Sequence, residues 1–425
     1  MILKPLQFFL FLSLFSCSLI IDNFEEDILT QNKITPLNTT SQISCPTNSS
    51  HMLISENKDS QLSFNKFIKK TSNKFPFSFV DEAVMWSLVQ MNLRPDLSSP
   101  SAKLQLLIKI NDKEEYINSY ETTNNGFPYF NALEFILKKY QSRYSLIKLA
   151  KIIDIHFKKK FLASKEFERF VDDHKNQIIA NPTLKQAFFR GDEPLLQGER
   201  IPSINFTSLV RHYKRQKKVS AYKIKRKLFE YQTPAPVTPM CNFDLKLYDK
   251  SLFLINSKKI KTHTFGIKSA KNAFMAISTQ DFQEFKLINK TFLLRGFSNT
   301  RSSSLCSFKN INNKGDTLWL TSSESRDPGQ HLYHLFQYGI EKIKTITELN
   351  SMLSFSRHQF LKDPVRLIIE SRRSSKGQLR SLLKLNIPIY NAKRLGTIWG
   401  YYRNSSHSSF LLDERRQGHL ACSSN

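Results

Sequence analysis

"YQTPAPVTPM", Tyr231 to Met240, is where the character of the chain changes. It holds three prolines and no glycine. Proline lacks an N–H and fixes φ, so neither a helix interior nor a central strand suits this stretch. It reads as an extended linker, 231–240, between two domains.

Upstream, over 75–230, the apolar spacing is mostly three and four, the period of helices. "VDEAVMWSLVQMNL" follows a capping Ser78 and places Val80, Val84, Leu88 and Met91 on one face. Ser164 caps "KEFERFVDDHKNQII", and Asn181, Pro182 and Gly191 bracket a further short helix. Downstream, over 241–425, alternation takes over. "FDLKLYDKSLFLI", "KTHTFGIKSAKNAFMAIS", "DTLWLTSS", "PVRLIIESRR", "LLKLNIPIY" and "GTIWGYY" read as strands. Helices after Pro328 and through "TITELNSMLSFSRHQFL" interrupt them. The expected fold class is α+β: an N-terminal helical domain followed by a mixed, largely antiparallel α+β domain.

The start of the chain speaks to compartment. Lys4 precedes an apolar run from Leu6 to Leu14, the length of a signal-peptide core and too short to span a bilayer. Leu14-Phe15-Ser16-Cys17 resembles the lipobox of bacterial lipoproteins, with Leu14 and Ser16 matching and Phe15 departing from the small residue preferred there. The resemblance implies a signal peptide over 1–16, lipidation of Cys17, and attachment to a bacterial membrane of the cell envelope through that lipid. Conventional cleavage after Ser18 is the alternative, giving a periplasmic or secreted chain. Residues 17–74 then read as lipid anchor and flexible polar tether, rich in Asn, Ser and Thr.

Of five cysteines, assigning Cys17 to a lipid leaves four. An exported chain tends to pair them. Cys241 with Cys306 is the expected bridge, and Cys45 with Cys422 would join the two chain ends.

The 425 residues carry a net charge of +27. Much of it is concentrated in "RHYKRQKKVSAYKIKRK", where Arg211, Lys214, Arg215, Lys217, Lys218, Lys223, Lys225, Arg226 and Lys227 occur without an acid. Such density attracts phosphate-bearing surfaces, so an anionic lipid or a cell-wall polymer is the expected partner. Nucleic acid is disfavoured by the export signal. A second basic patch, "SRRSSKGQLR" from Ser371, reads as a turn between strands.

No phosphate loop, dinucleotide fingerprint, serine-hydrolase elbow or zincin motif is present, and no cofactor is expected. One constellation stands out. At about 100° per residue, His331, His334 and Tyr338 share a helix stripe, with Asp327 as N-cap, Gln330 completing a capping box, and Glu324 just before. Imidazoles suit acid–base work or a metal, yet two ligands do not make a metal site. Glu324 or His358 would have to supply a third. The reading is thus an envelope protein that binds or scaffolds at an anionic surface, alternatively a periplasmic or secreted hydrolase with its site around His331, His334, Glu324 and Asp327.

Overall fold

The computed structural model describes residues 51–121, 126–157, 161–216, 222–225, 228–230, 240–242, 247–248, 252–253, 262–288, 291–297, 304–309, 316–325, 328–340, 343, 345–361, 365–416 and 418–423. Cys17, Cys45 and the 17–50 part of the expected tether lie outside them.

The chain opens with β1 (His51–Ser55), α1 (Lys58–Thr71) and α2 (Phe79–Leu93), then β2 (Lys103–Ile110) and β3 (Lys113–Glu121). Helices follow: α3 (Pro128–Lys139), α4 (Leu146–His156), α5 (Lys165–Asp173), α6 (Lys175–Ile179) and α7 (Pro182–Phe188). Next come β4 (Phe189–Arg190), β5 (Glu193–Pro194), α8 (Phe206–Gln216), β6 (Tyr222–Lys225), β7 (Phe229–Glu230), β8 (Met240–Cys241), β9 (Leu247–Tyr248) and β10 (Leu252–Phe253). The long strands are β11 (His263–Ser269), β12 (Ala273–Thr279), β13 (Asp281–Ile288), β14 (Thr291–Phe297), β15 (Ser304–Lys309) and β16 (Thr317–Ser323). The chain closes with α9 (Pro328–Gln337), α10 (Ile346–Leu353), β17 (His358–Leu361), β18 (Arg366–Ile369), α11 (Lys376–Leu383), β19 (Ile389–Asn391), β20 (Thr397–Arg403), β21 (Ser408–Leu411) and β22 (His419–Ser423).

Two sheets dominate. A seven-stranded sheet runs β22-β1-β11-β12-β2-β3-β6, and a six-stranded sheet runs β21-β20-β16-β15-β8-β7. Nearly all pairs are antiparallel; β18 with β19 is the parallel one among the described strands. The fold is α+β, as the alternation predicts.

Period-two alternation puts the central strands of these two sheets between two apolar layers. Leu53, Leu106, Ile108, Phe274 and Ala276 face the helices α1 to α4 and α8. Met52, Ile54, Leu107, Ala273 and Met275 face the other way, onto Leu305, Trp319, Trp399 and Tyr401 of the second sheet. That sheet's remaining residues, Cys306, Leu318, Leu320 and Ile398, pack on α9 and α10. The order of layers is helices, sheet, sheet, helices. Gly266 makes close stacking possible: a Cβ there would lie 2.7 Å from the Phe274 carbonyl oxygen and 2.9 Å from the Phe410 ring.

Several sequence expectations change. The domain boundary at 231–240 is crossed by the seven-stranded sheet: β2 and β3 come from the segment read as helical, and β2 pairs with β12 on one side and β3 on the other. The tether does not reach residue 74: β1 pairs with both β11 and β22, and α1 is capped by Asn57 and buries Phe64 and Phe67. The helix α2 is buried on all sides from Val80 to Leu93 rather than on one face, because it lies between sheet and helices. Its capping box is closed by Ser78 and Asp81. "SRRSSKGQLR" is a 3₁₀ turn and the helix α11 rather than a simple turn, and "LLKLNIPIY" supplies the end of that helix before β19.

Cys241 and Cys306 stand directly opposite each other on β8 and β15 and are bonded, S–S 2.04 Å. Cys422 is also disulfide-bonded, and its expected partner Cys45 lies outside the described residues. The bridge closes a loop of 65 residues. Replacing both Cys241 and Cys306 by Ser is expected to cost roughly 4 kcal/mol by loop entropy. Urea unfolding of the double variant checks this; an unchanged midpoint would refute it.

Candidate functional site

One end of the seven-stranded sheet gathers charge. The end of β1 leads into Glu56, the start of β11 carries Thr262 and His263, and the end of β12 leads to Ser278, Thr279 and Gln280. His263 pairs with Ser278, and Thr279 pairs with Lys103 at the start of β2. The α2–β2 connection brings Arg94, Asp96, Ser98 and Ser99, and the β21–β22 connection brings Arg416. All of these are buried.

Arg94 is the hub. Its Nε and Nη2 donate to the Asp96 carboxylate at 2.9 and 2.8 Å, and its Nη1 donates to Glu56 Oε2 at 2.7 Å. The other Glu56 oxygen takes Arg416 Nη2 and His263 Nδ1, the latter at 3.1 Å. Burial works against the Arg94 charge, but Asp96 outweighs it and the pKa is raised. Burial, reinforced by Arg94, pushes His263 down to about 3, so its imidazole is neutral. Its Nε2 lies 2.9 Å from Gln90 Oε1, so the neutral ring donates to Glu56 or to Gln90 according to its tautomer, and not to both. Burial also lowers Arg416 to about 9, while its contact with Glu56 acts in the opposite sense and keeps it charged at neutral pH.

The α2–β2 connection is held by serines. Ser98 Oγ is 2.5 Å from Ser278 Oγ, and Ser99 Oγ donates to Gln280 Oε1 at 2.5 Å. Gln280 Nε2 donates in turn to the carbonyls of Pro95 and Asp96.

Among the described residues three members of this network keep unmatched atoms: Gln90 at Nε2, Thr262 and Arg416. Thr262 is fully buried and its Oγ1 has no hydrogen-bond partner, although its carbonyl accepts from Arg416 Nη2 at 2.7 Å. Arg416 Nε is likewise unpartnered, and its Nη1 faces Glu324 at 3.3 Å without an aligned bond. A buried polar atom without a partner costs about 1–3 kcal/mol. The open hydroxyl and the open guanidinium N–H belong to residues joined through the Thr262 carbonyl.

The histidine constellation is divided. Glu324 turns to Arg416 and belongs to the end of the sheet just described. His331 and His334 are enclosed on the helix side of the second sheet, and Asp327 lies outside the described residues. His334 stacks on His358, ring centroids 3.8 Å apart. Burial lowers all three imidazoles, His358 to about 4. Among the described residues no His, Cys, Asp or Glu group is arranged to hold a metal. Gln330 accepts from Phe360 N at 2.9 Å and donates to Phe360 O at 3.0 Å, pinning β17.

The basic stretch is divided too. Arg211, Lys214 and Arg215 are exposed on α8. Lys217, Lys218, Arg226 and Lys227 lie outside the described residues, and Lys223 and Lys225 are in β6, the edge strand paired with β3.

With this architecture in view, known structures can be compared. LmbA2991, as a Thr-to-Ala variant, superposes with a TM-score of 0.64 at 9% identity over 89% of this chain and 99% of its own. A form designated LmbA2991HD gives 0.62 at 9% identity over 89% and 99%. A cephalosporin acylase from Bacillus halodurans gives 0.59 at 8% identity over 89% and 96%. The likeness is one of fold. No protein-family model matches the sequence, and no curated protein matches it.

Sequence reading missed Glu56, Arg94, Asp96, Thr262, His263 and Arg416 as a group. The only trace was charge placed against the local pattern, as in "LISE", "NLRPD" and "DERRQ", where ionic residues end apolar runs.

Proposed function

We propose that the chain is an acylase-type protein, breaking or transferring an amide-linked acyl group at the Thr262 end of the large sheet. The observation that carries this is the unpartnered Thr262 hydroxyl, on a buried residue whose carbonyl takes the Arg416 guanidinium. The fold shared with a protein described as a cephalosporin acylase supports it.

The chemistry sets a condition. A Thr hydroxyl is a weak nucleophile and needs a base within reach. None of the described side chains touches Oγ1. The nitrogen of Thr262 itself would serve if the bond after Lys261 were cut, because a free α-amine titrates near pH 8. Oγ1 would then attack the substrate carbonyl carbon, pass its proton to that amine, and form an ester as the leaving amine takes the proton back. Water would release the acyl group. An anionic acyl group would meet Arg416.

Mass spectrometry of the mature protein is expected to find a fragment beginning at Thr262. That protein should hydrolyse amides in a panel that includes cephalosporin side-chain amides. Thr262→Ala should lower turnover by at least about 10³-fold, with Thr262→Ser partly active. An uncut chain that turns over no amide, or full activity in Thr262→Ala, would sink the proposal.

We also infer export with a lipid on Cys17, placing the protein at a bacterial envelope. The bonded Cys241–Cys306 and Cys422 support an oxidising compartment. An acylated cysteine at the mature N-terminus is the expected finding; an N-terminus at Leu19 excludes the lipid.

A further inference from the structure

Between Ser371 and Arg394 the sequence carries seven Lys or Arg and no acid. The tertiary structure turns most of this segment outward. Helix α11 uses Leu379 and Leu382 to pack on Phe360, Leu367 and Ile369 of the small three-stranded sheet. Its opposite face holds Lys376, Arg380, Leu383 and Lys384, which fall within about a quarter-turn of one another at 100° per residue. All four are exposed, as is Arg372 just before the helix. Leu383 is 64% exposed, and Leu385 and Tyr390 continue the apolar surface at 40% and 41%.

We propose that this face docks on an anionic lipid surface. Among the described residues four cations, Arg372, Lys376, Arg380 and Lys384, form no salt bridge, whereas Arg373 pairs with Glu414 and Arg394 donates to the Arg415 carbonyl. Unpaired cations alone would serve any polyanion. The exposed leucines and tyrosine set the partner: a duplex or a wall polymer offers them nothing, whereas a bilayer interface takes phosphate-seeking cations and apolar side chains together. The face is presented by a helix whose inner side is fixed in a core, so docking needs no folding step.

The test is sedimentation of the full chain with vesicles of phosphatidylcholine and phosphatidylglycerol, against pure phosphatidylcholine. Binding should require the anionic lipid and weaken with salt. Lys376→Gln/Arg380→Gln/Lys384→Gln should weaken it on the order of 100-fold. Leu383→Ser/Leu385→Ser should weaken it several-fold while leaving heparin binding unchanged. Arg211→Gln/Lys214→Gln/Arg215→Gln, which removes the same charge elsewhere, should have a much smaller effect. Thermal melts establish that each variant is folded. No vesicle binding, equal losses from both charge triples, or indifference to the leucine changes would each overturn the proposal; the last would mark a general polyanion site.

Discussion

Between pH 6.5 and about 4 the folded protein is expected to lose stability steeply. His263, His331, His334 and His358 are held neutral by burial, with His263 pushed to about 3 and His358 to about 4. The groups facing His331 sharpen the effect: Arg357 and Arg415 repel a proton there, and Asp413 only partly offsets them. The unfolded chain takes up these protons near pH 6.5, whereas the folded chain does not until the pH is far lower. Stability from these groups is therefore complete above 6.5, falls as pH drops toward the folded values, and is fully lost below them. For His358 alone the range from 6.5 to about 4 corresponds to up to about 3 kcal/mol. His263 adds to it. Asp413 acts in the same sense, at lower pH. Burial opposes its charge, but Arg357, Arg415 and the Ile398 and Arg415 N–H groups hold it below the usual carboxylate range, so its contribution disappears only at still lower pH. Urea midpoints at pH 7.5, 6, 5 and 4.5 measure the slope. His334→Phe/His358→Phe should flatten it, and a profile level down to pH 4.5 would show that the imidazoles are not held neutral.

The second large effect is expected from Arg415. This side chain is fully buried, and its Nε and Nη2 donate to the two Glu370 oxygens at 2.7 and 2.5 Å. Its Nη1 donates to Asp413 at 3.1 Å and to the Leu353 carbonyl at 2.8 Å. Arg357 donates to the other Asp413 oxygen at 2.6 Å, and the N–H groups of Arg357 and Leu395 complete Glu370. The network ties the end of α10, the β17–β18 pair and the β21–β22 connection together. Arg415→Ala would leave two carboxylates buried with one cation between them. A cost of about 3–5 kcal/mol is expected. Arg373→Ala, which breaks a pair with Glu414 at the partly exposed surface, should cost under about 1 kcal/mol. Chemical unfolding of the two variants side by side distinguishes them; similar small losses would refute the buried network as a stabilising element.

Local rules were legible in the sequence. Ser78, Ser164 and Asn181 cap the helices that their positions announce. Gly339, after α9, sits at φ 78°, the left-handed region that ends helices, whereas Gly191, read as a helix stop, takes φ 66° in the turn between β4 and β5 after the helix has ended at Phe188. Alternation located the strands of "KTHTFGIKSAKNAFMAIS" and "DTLWLTSS", and cysteine counting singled out Cys241 with Cys306. Errors fell where tertiary packing overrides local pattern. "LRPD" and "DERR" look like solvated loops because ionic residues usually are, and only their partners make them interior. His331 and His334 looked like a site because a helix stripe cannot say what closes over it.

The sequence by itself announced the N-caps at Ser78, Ser164 and Asn181, several of the alternating strands, the expected Cys241–Cys306 bridge, and the resemblance of Leu14–Cys17 to a lipidation signal. These depend on contacts a few residues apart or on residue type alone. Tertiary structure decided that β1 and β22, from opposite ends of the described chain, are neighbours in one sheet, with Gln61 Nε2 donating to the His419 carbonyl at 2.7 Å. It also decided that Arg94, His263 and Arg416 converge on Glu56. A strand's period of two tells which face is buried but carries no information about its partner. Partner choice follows from closing long loops so that every apolar face and every buried charge is matched at once.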